Sequence, residues 1–137
     1  MLSLPRDMLL FVYGTLRRGE PNHRELGEAR FLGRARTAPV YELVDLGSFP
    51  GLLEGGSTAV QGELYEVDEH WIGQLDAFEE APELYDRKHV WLEGEAALAY
   101  VMRRDVAGPA PRIPSGDWRR RSKRRRMRRV QASLSAD

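Results

Sequence analysis

Cysteine is missing altogether from the 137 residues. The chain therefore has no disulfide, no thiolate nucleophile and no cysteine-ligated zinc. Histidine is nearly as scarce: His23, His70 and His89 lie far apart, and none has a second ligand three or four residues on, the spacing that helical metal motifs use. No metal signature is present. No run of 18 apolar residues occurs, which argues against a transmembrane helix. Residues 1–7 include Arg6 and Asp7 and lack an apolar core of signal-peptide length, so they read as a short extension of a cytosolic protein. The glycines between positions 14 and 19 precede no Gly-Lys-Ser/Thr, which rules out a phosphate-binding loop of that type.

What is present fits one domain with a single core, since 42% of the residues are hydrophobic. The formal net charge of zero hides an asymmetry. Nine of the eleven residues from Arg119 to Arg129 are basic, which leaves twelve basic against twenty-one acidic residues in the rest of the chain. Body and tail are electrostatically different objects. Residues 119–137 carry no core-forming pattern and are expected to be disordered or loosely helical. The expected folded unit is residues 8–118.

Met8 to Tyr13 is an apolar run of strand length that stops at Gly14, so a buried strand opens into a tight loop. A short helix is expected over His23 to Ala29, with Asn22 and Glu25 as a capping box. Strands broken near Pro39 are expected between Phe31 and Leu46, and a loop over the turn-rich stretch Gly47 to Gly56. Val60 to Val67 alternates like a strand, with Val60, Gly62, Leu64 and Val67 on one face and Tyr65 on the other. Asp68 is placed to cap a helix over His70 to Phe78, where Trp71, Ile72, Leu75 and Phe78 recur at helical spacing. Leu84 to Leu92 and Ala96 to Arg103 read as a hairpin turning at Glu93-Gly94-Glu95. Strands outnumber helices and often follow one another directly, which points to an α+β fold on a mixed or antiparallel sheet.

Two places can carry chemistry. In the loop Tyr13-Gly14-Thr15-Leu16, consecutive amides can converge on an anion or a carbonyl oxygen, although a plain strand-to-loop turn has the same spacing. Glu79 ends the apolar face of its helix, with Glu80 and Glu83 nearby. Held at the edge of a pocket, its carboxyl would have its pKa raised toward the range of a general base; left on the surface, it would be an ordinary solvated acid. Tyr85 and Tyr100 are candidate substrate-orienting hydroxyls, or core tyrosines with wet tips.

The run Phe11-Val12-Tyr13-Gly14-Thr15-Leu16-Arg17-Arg18-Gly19, followed by Pro21-Asn22-His23, resembles the opening signature of the gamma-glutamylcyclotransferase-like family, in particular its gamma-glutamylamine cyclotransferase and AIG2-like branch. Leu75-Asp76-Ala77-Phe78-Glu79, Pro82 and Leu84-Tyr85-Asp86-Arg87 resemble the family segment that bears its catalytic glutamate. Pro50-Gly51-Leu52, Gly62-Glu63-Leu64-Tyr65 and Ser115-Gly116-Asp117-Trp118 are further similarities. The resemblance implies a small β-barrel flanked by short helices, no cofactor, and a small-molecule γ-glutamyl substrate. It implies Glu79 as the catalytic acid/base that lets the substrate's own α-amine attack its γ-carbonyl and release 5-oxoproline. Tyr13, Gly14, Thr15 and Leu16 would cradle the substrate, and Arg87 is either a partner for its α-carboxylate or a surface charge of its strand. Family members often carry glycine where this chain has Glu80.

Two other readings stand beside the enzyme. One is a non-catalytic small-molecule-binding member of the fold. The other is an anion- or nucleic-acid-binding protein acting through Arg119 to Arg129, whose affinity would fall steeply with salt. No aromatic residues interleave those arginines, so sequence-specific recognition of nucleic acid is not expected.

Overall fold

The computed structural model describes residues 7–121. Residues 1–6 of the expected extension and 122–137 of the expected tail lie outside the described residues. Seven strands form one sheet: β1 (Asp7–Val12), β2 (Arg30–Arg36), β3 (Tyr41–Asp45), β4 (Pro50–Glu54), β5 (Gln61–Asp68), β6 (Asp86–Trp91) and β7 (Ala96–Val101). Two helices, α1 (Glu69–Phe78) and the single turn α2 (Arg104–Ala107), and two 3-10 turns at His23–Leu26 and Trp118–Arg120 complete the fold. Among the described residues, no helix is long and apolar enough to cross a membrane.

The strand order is β2-β5-β1-β7-β4-β3, with β6 also paired to β7. The ladder does not close into a continuous barrel among the described residues, and the single bridge Thr37↔Leu92 links the β2 end to the β6 side. Strand β7 has three partners. It pairs antiparallel with β6 along its whole length, and parallel with β1 at Leu10↔Leu98 and with β4 at Leu52↔Val101. A strand has two edges, so β1 and β4 share one of them in succession. Past Leu10, β1 peels away and β4 takes its place.

Alternation along the strands fills two cores. Leu10, Val12, Tyr65, Val67, Leu98 and Tyr100 face the layer containing Ile72 and Leu75 of α1. Phe11, Leu43, Leu52, Leu64, Ala99 and Val101 face the other way, against Ile113 and Trp118. Both faces of the sheet are covered, so β1 and β7 read as unbroken apolar runs rather than alternating ones. Val67 falls on the Tyr65 side, not with Val60, Gly62 and Leu64 as the sequence pattern suggested.

Two further local expectations are corrected. The stretch expected as a loop contains β4, paired antiparallel with β3 from Asp45↔Pro50 to Tyr41↔Glu54. Pro50 is the first residue of that strand, where a missing N–H is tolerated. The expected capping box is absent: the turn after Asn22 is only four residues long, and the Asn22 side chain makes no cap. The helix expected over His70 to Phe78 is present as α1, and Asp68 Oδ1 caps it by accepting from the His70 amide. Glu93-Gly94-Glu95 joins β6 and β7 as the hairpin turn.

Candidate active site

The place where β1 leaves β7 is where the pocket opens. Tyr13, Gly14, Thr15 and Leu16 line it together with Phe49 and Pro50 at the start of β4, and with Glu79 and Tyr85 following α1; Tyr100 lines it from β7. With its open mouth it encloses about 700 Å³. The glutamate, the loop residues and the two tyrosines picked from sequence thus share one cavity.

The loop is shaped by close packing and by its own polar contacts. Gly14 is pressed against the Pro50 ring, where an added Cβ would lie 2.5 Å from Pro50 Cγ. The Gly14 and Thr15 carbonyls accept from the amides of Arg17 and Asn22 at 3.1 and 3.0 Å. Asn22 Nδ2 also donates to Thr15 Oγ1 at 3.0 Å, which is what the side chain does in place of capping. His23 Nδ1 sits 2.9 Å from the Leu16 carbonyl oxygen. Among the described residues, none of the amides of Gly14, Thr15 and Leu16 donates a hydrogen bond, leaving three consecutive donors beside the cavity.

Glu79 is delivered by the end of α1. The Glu80 amide donates to Ala77 O and the Ala81 amide to Asp76 O, the paired bonds of a Schellman turn. Glu80 takes the left-handed position of that turn with φ 55, a conformation usually left to glycine. The chain thus reverses just after Glu79 and leaves its half-buried carboxyl in the pocket. Burial, and secondarily the charge of Glu80, push its pKa from 4.5 up to about 7. Glu83, the other acid noted nearby, does not line the cavity.

The tyrosines are committed to the protein. Tyr85 Oη donates to Pro50 O at 2.7 Å, and Tyr100 Oη donates to Asp76 Oδ1 at 2.8 Å. Burial raises both pKa values well above the ordinary tyrosine range. Each hydroxyl has one proton and has already used it, so toward a ligand it can only accept. Arg87 is not part of the lining; its Nε pairs with Asp76 Oδ1 at 2.8 Å. Pro50 and Asn22 shape the cavity but drew no role from sequence, although Pro50-Gly51-Leu52 and Pro21-Asn22-His23 were both visible as family-like motifs.

Fold and site together define a small α+β protein with a half-open, acid-bearing pocket lined by a loop whose amides are unengaged among the described residues. Residues 10–120 match the family model for gamma-glutamyl cyclotransferase, AIG2-like, and the chain belongs to that family. It is 44% identical over 110 residues to a Vibrio cholerae protein provisionally named a gamma-glutamylcyclotransferase, covering 80% of this chain and 94% of that one. The human gamma-glutamylaminecyclotransferase is 49% identical over 88 residues, 58% of each chain, so this chain spans little more than half of that relative. The crystal structure of an AIG2-like protein from mouse superposes with a TM-score of 0.65 at 35% identity, covering 76% of this chain and 81% of the mouse protein.

Proposed function

We propose that this protein cyclises a γ-glutamyl group to 5-oxoproline, with Glu79 as the acid/base. The observation that carries the reading is a carboxyl with a pKa of about 7 in the same cavity as three unengaged backbone amides. A group with that pKa can both take and return a proton near neutral pH. Glu79 takes a proton from the substrate's α-ammonium, and the freed amine forms a C–N bond to its own γ-carbonyl carbon. The amides of Gly14 to Leu16 stabilise the oxygen as it gains negative charge. The bond from that carbon to the departing nitrogen then breaks as Glu79 returns the proton to it. The ring nitrogen gives up its second proton, and 5-oxoproline is released with the amine, which takes up that proton and leaves as an ammonium. No water is consumed and no enzyme nucleophile is required. Folding the glutamyl chain into the attacking geometry is an orientation effect, worth on the order of several kcal/mol.

The lining also bears on the substrate. Among the described residues it contains Glu79 and Glu80 and no Lys, Arg or His. The γ-glutamyl α-carboxylate therefore depends on the loop amides, and a leaving group bearing its own carboxylate would meet acid without a compensating cation. That favours γ-glutamylamines over γ-glutamyl amino acids, in keeping with the name of the human relative.

The test is 5-oxoproline release, followed by mass spectrometry, from a panel of γ-glutamylamines and γ-glutamyl amino acids, with wild type beside Glu79→Gln. Release from amines by wild type and its loss in the folded variant support the reading. Release that survives Glu79→Gln removes Glu79 from the chemistry, and a wild type inactive on the whole panel overturns the proposed reaction.

A further inference from the structure

The loop that lines the pocket is gripped from behind by charged groups that never reach the cavity. Arg17 is 6% exposed, and its Nη1 donates to Asp117 Oδ1 at 2.9 Å. Its Nε lies 3.9 Å from Glu63 Oε2 and has no hydrogen-bond partner among the described residues. Glu63, buried on β5, is already occupied: its Oε1 accepts from the Arg18 amide at 2.9 Å and from the Tyr65 hydroxyl at 3.0 Å. Asp117 Oδ1 accepts in addition from the Arg119 amide at 2.9 Å, capping the last 3-10 turn. Arg119 then reaches back to the Arg18 carbonyl and, at 3.1 Å, to Glu20 Oε2.

Building on the proposed reaction, we propose that Asp117 is a positioning residue of the active site, which acts through Arg17 to hold the backbone of residues 14–18 in place. Arg17 begins where the cradle ends: its amide donates to the Gly14 carbonyl, so a shift of Arg17 is passed directly to the peptide groups that face the substrate. A buried guanidinium that loses one of two carboxylate partners must move toward water or leave its charge uncompensated. Glu63 is a poor replacement, because its Oε2 lies 3.9 Å from Arg17 Nε and the two bonds to its Oε1, from the Arg18 amide and the Tyr65 hydroxyl, hold the carboxylate in that place. Asp117 itself stays out of the pocket, so it acts on geometry and not on the proton transfer.

The experiment uses the full chain. Asp117→Ala and Asp117→Asn are compared with wild type by amide hydrogen exchange of residues 14–20 and by kinetics from pH 5 to 9. For Asp117→Ala we expect faster exchange confined to that loop, and a fall in kcat/KM on the order of tenfold or more. The pH midpoint stays near that of wild type, since Glu79 is untouched. Asp117→Asn, which keeps an acceptor for Arg17, recovers part of the loss and covers the case in which the alanine variant does not fold. Adding Arg17→Ala to Asp117→Ala costs little more than the first change alone. Wild-type exchange and kinetics in both variants overturn the proposal. So does a loss of protection spread evenly over β1 and β5, which marks a merely structural role. A wild type inactive on every γ-glutamyl compound defeats the reaction and not the clamp; the exchange comparison needs no substrate and then decides alone.

Discussion

The Tyr13 hydroxyl donates to the Tyr100 carbonyl at 2.6 Å and accepts from the Leu52 amide at 3.3 Å. With Leu52 opposite Val101 in a parallel pair, and the Met102 amide bonded to the Leu52 carbonyl, a direct bond from the Leu52 amide to the Tyr100 carbonyl is the next rung of that ladder. The Tyr13 hydroxyl, from the end of β1, braces both groups of that rung at the fork where the pocket opens. Tyr13→Phe removes two buried hydrogen bonds, and should cost about 1 to 3 kcal/mol of stability in urea unfolding. A loss under about 0.5 kcal/mol would mean the two strands close the rung themselves.

Gly14→Ala places a methyl inside the Pro50 ring. Overpacking of this kind costs about 1 to 3 kcal/mol. Because the displaced backbone is the cradle itself, 5-oxoproline release should fall more than stability does, on the order of a hundredfold in kcat/KM for an ångström of misplacement.

The pH dependence follows from Glu79. The base must be ionised to act, so kcat/KM should rise with pH through about 7 and level off above it. Stability runs the other way. The native state holds the proton up to about 7 and the unfolded chain only to 4.5, so between those values stability falls as pH rises. Glu79→Gln should therefore melt at higher temperature than wild type at pH 8, by the equivalent of roughly 1 to 3 kcal/mol, with the gain gone below pH 4.5. Equal melting of the two proteins at pH 8 would show that the carboxyl is not desolvated.

Glu80→Gly should do two things at once. It relieves the left-handed backbone at φ 55, which stabilises by about 1 kcal/mol. It also removes the charge beside Glu79, so the rising limb of the pH–rate profile should move to lower pH. Thermal melts and a pH–rate series on the same preparation test both, and a limb that stays in place would assign the whole shift to burial.

The parts of the molecule legible in sequence are those with a local cause. Helix α1 was readable because Asp68 caps it and Ile72 and Leu75 recur at its buried face; β1 because both its faces are covered. Strand β4 was not, since Pro50, Gly51 and Gly55-Gly56 all signal turns, and only pairing to β3 and β7 overrides them. Asn22 has the chemistry of a cap and spends it on Thr15, a choice set by where the loop folds back. Glu79 and the Tyr13–Leu16 loop stood out through family likeness, whereas Arg17, Glu63 and Asp117 look like ordinary charges until the fold brings together residues 100 positions apart.

The edge of β7 shared by β1 and β4 has a consequence for how the chain assembles. Strand β1 meets β5 more than fifty residues on and β7 almost ninety residues on, as at Leu10↔Tyr65 and Leu10↔Leu98. Such distant pairings make for slow folding. On the ribosome, the first strand and the loop that follows it would emerge long before their partners and wait, apolar and unpaired, for β7. Folding yield in the cell should then depend less on the final contacts of β1 than on how well its exposed run is shielded until the last third of the chain arrives.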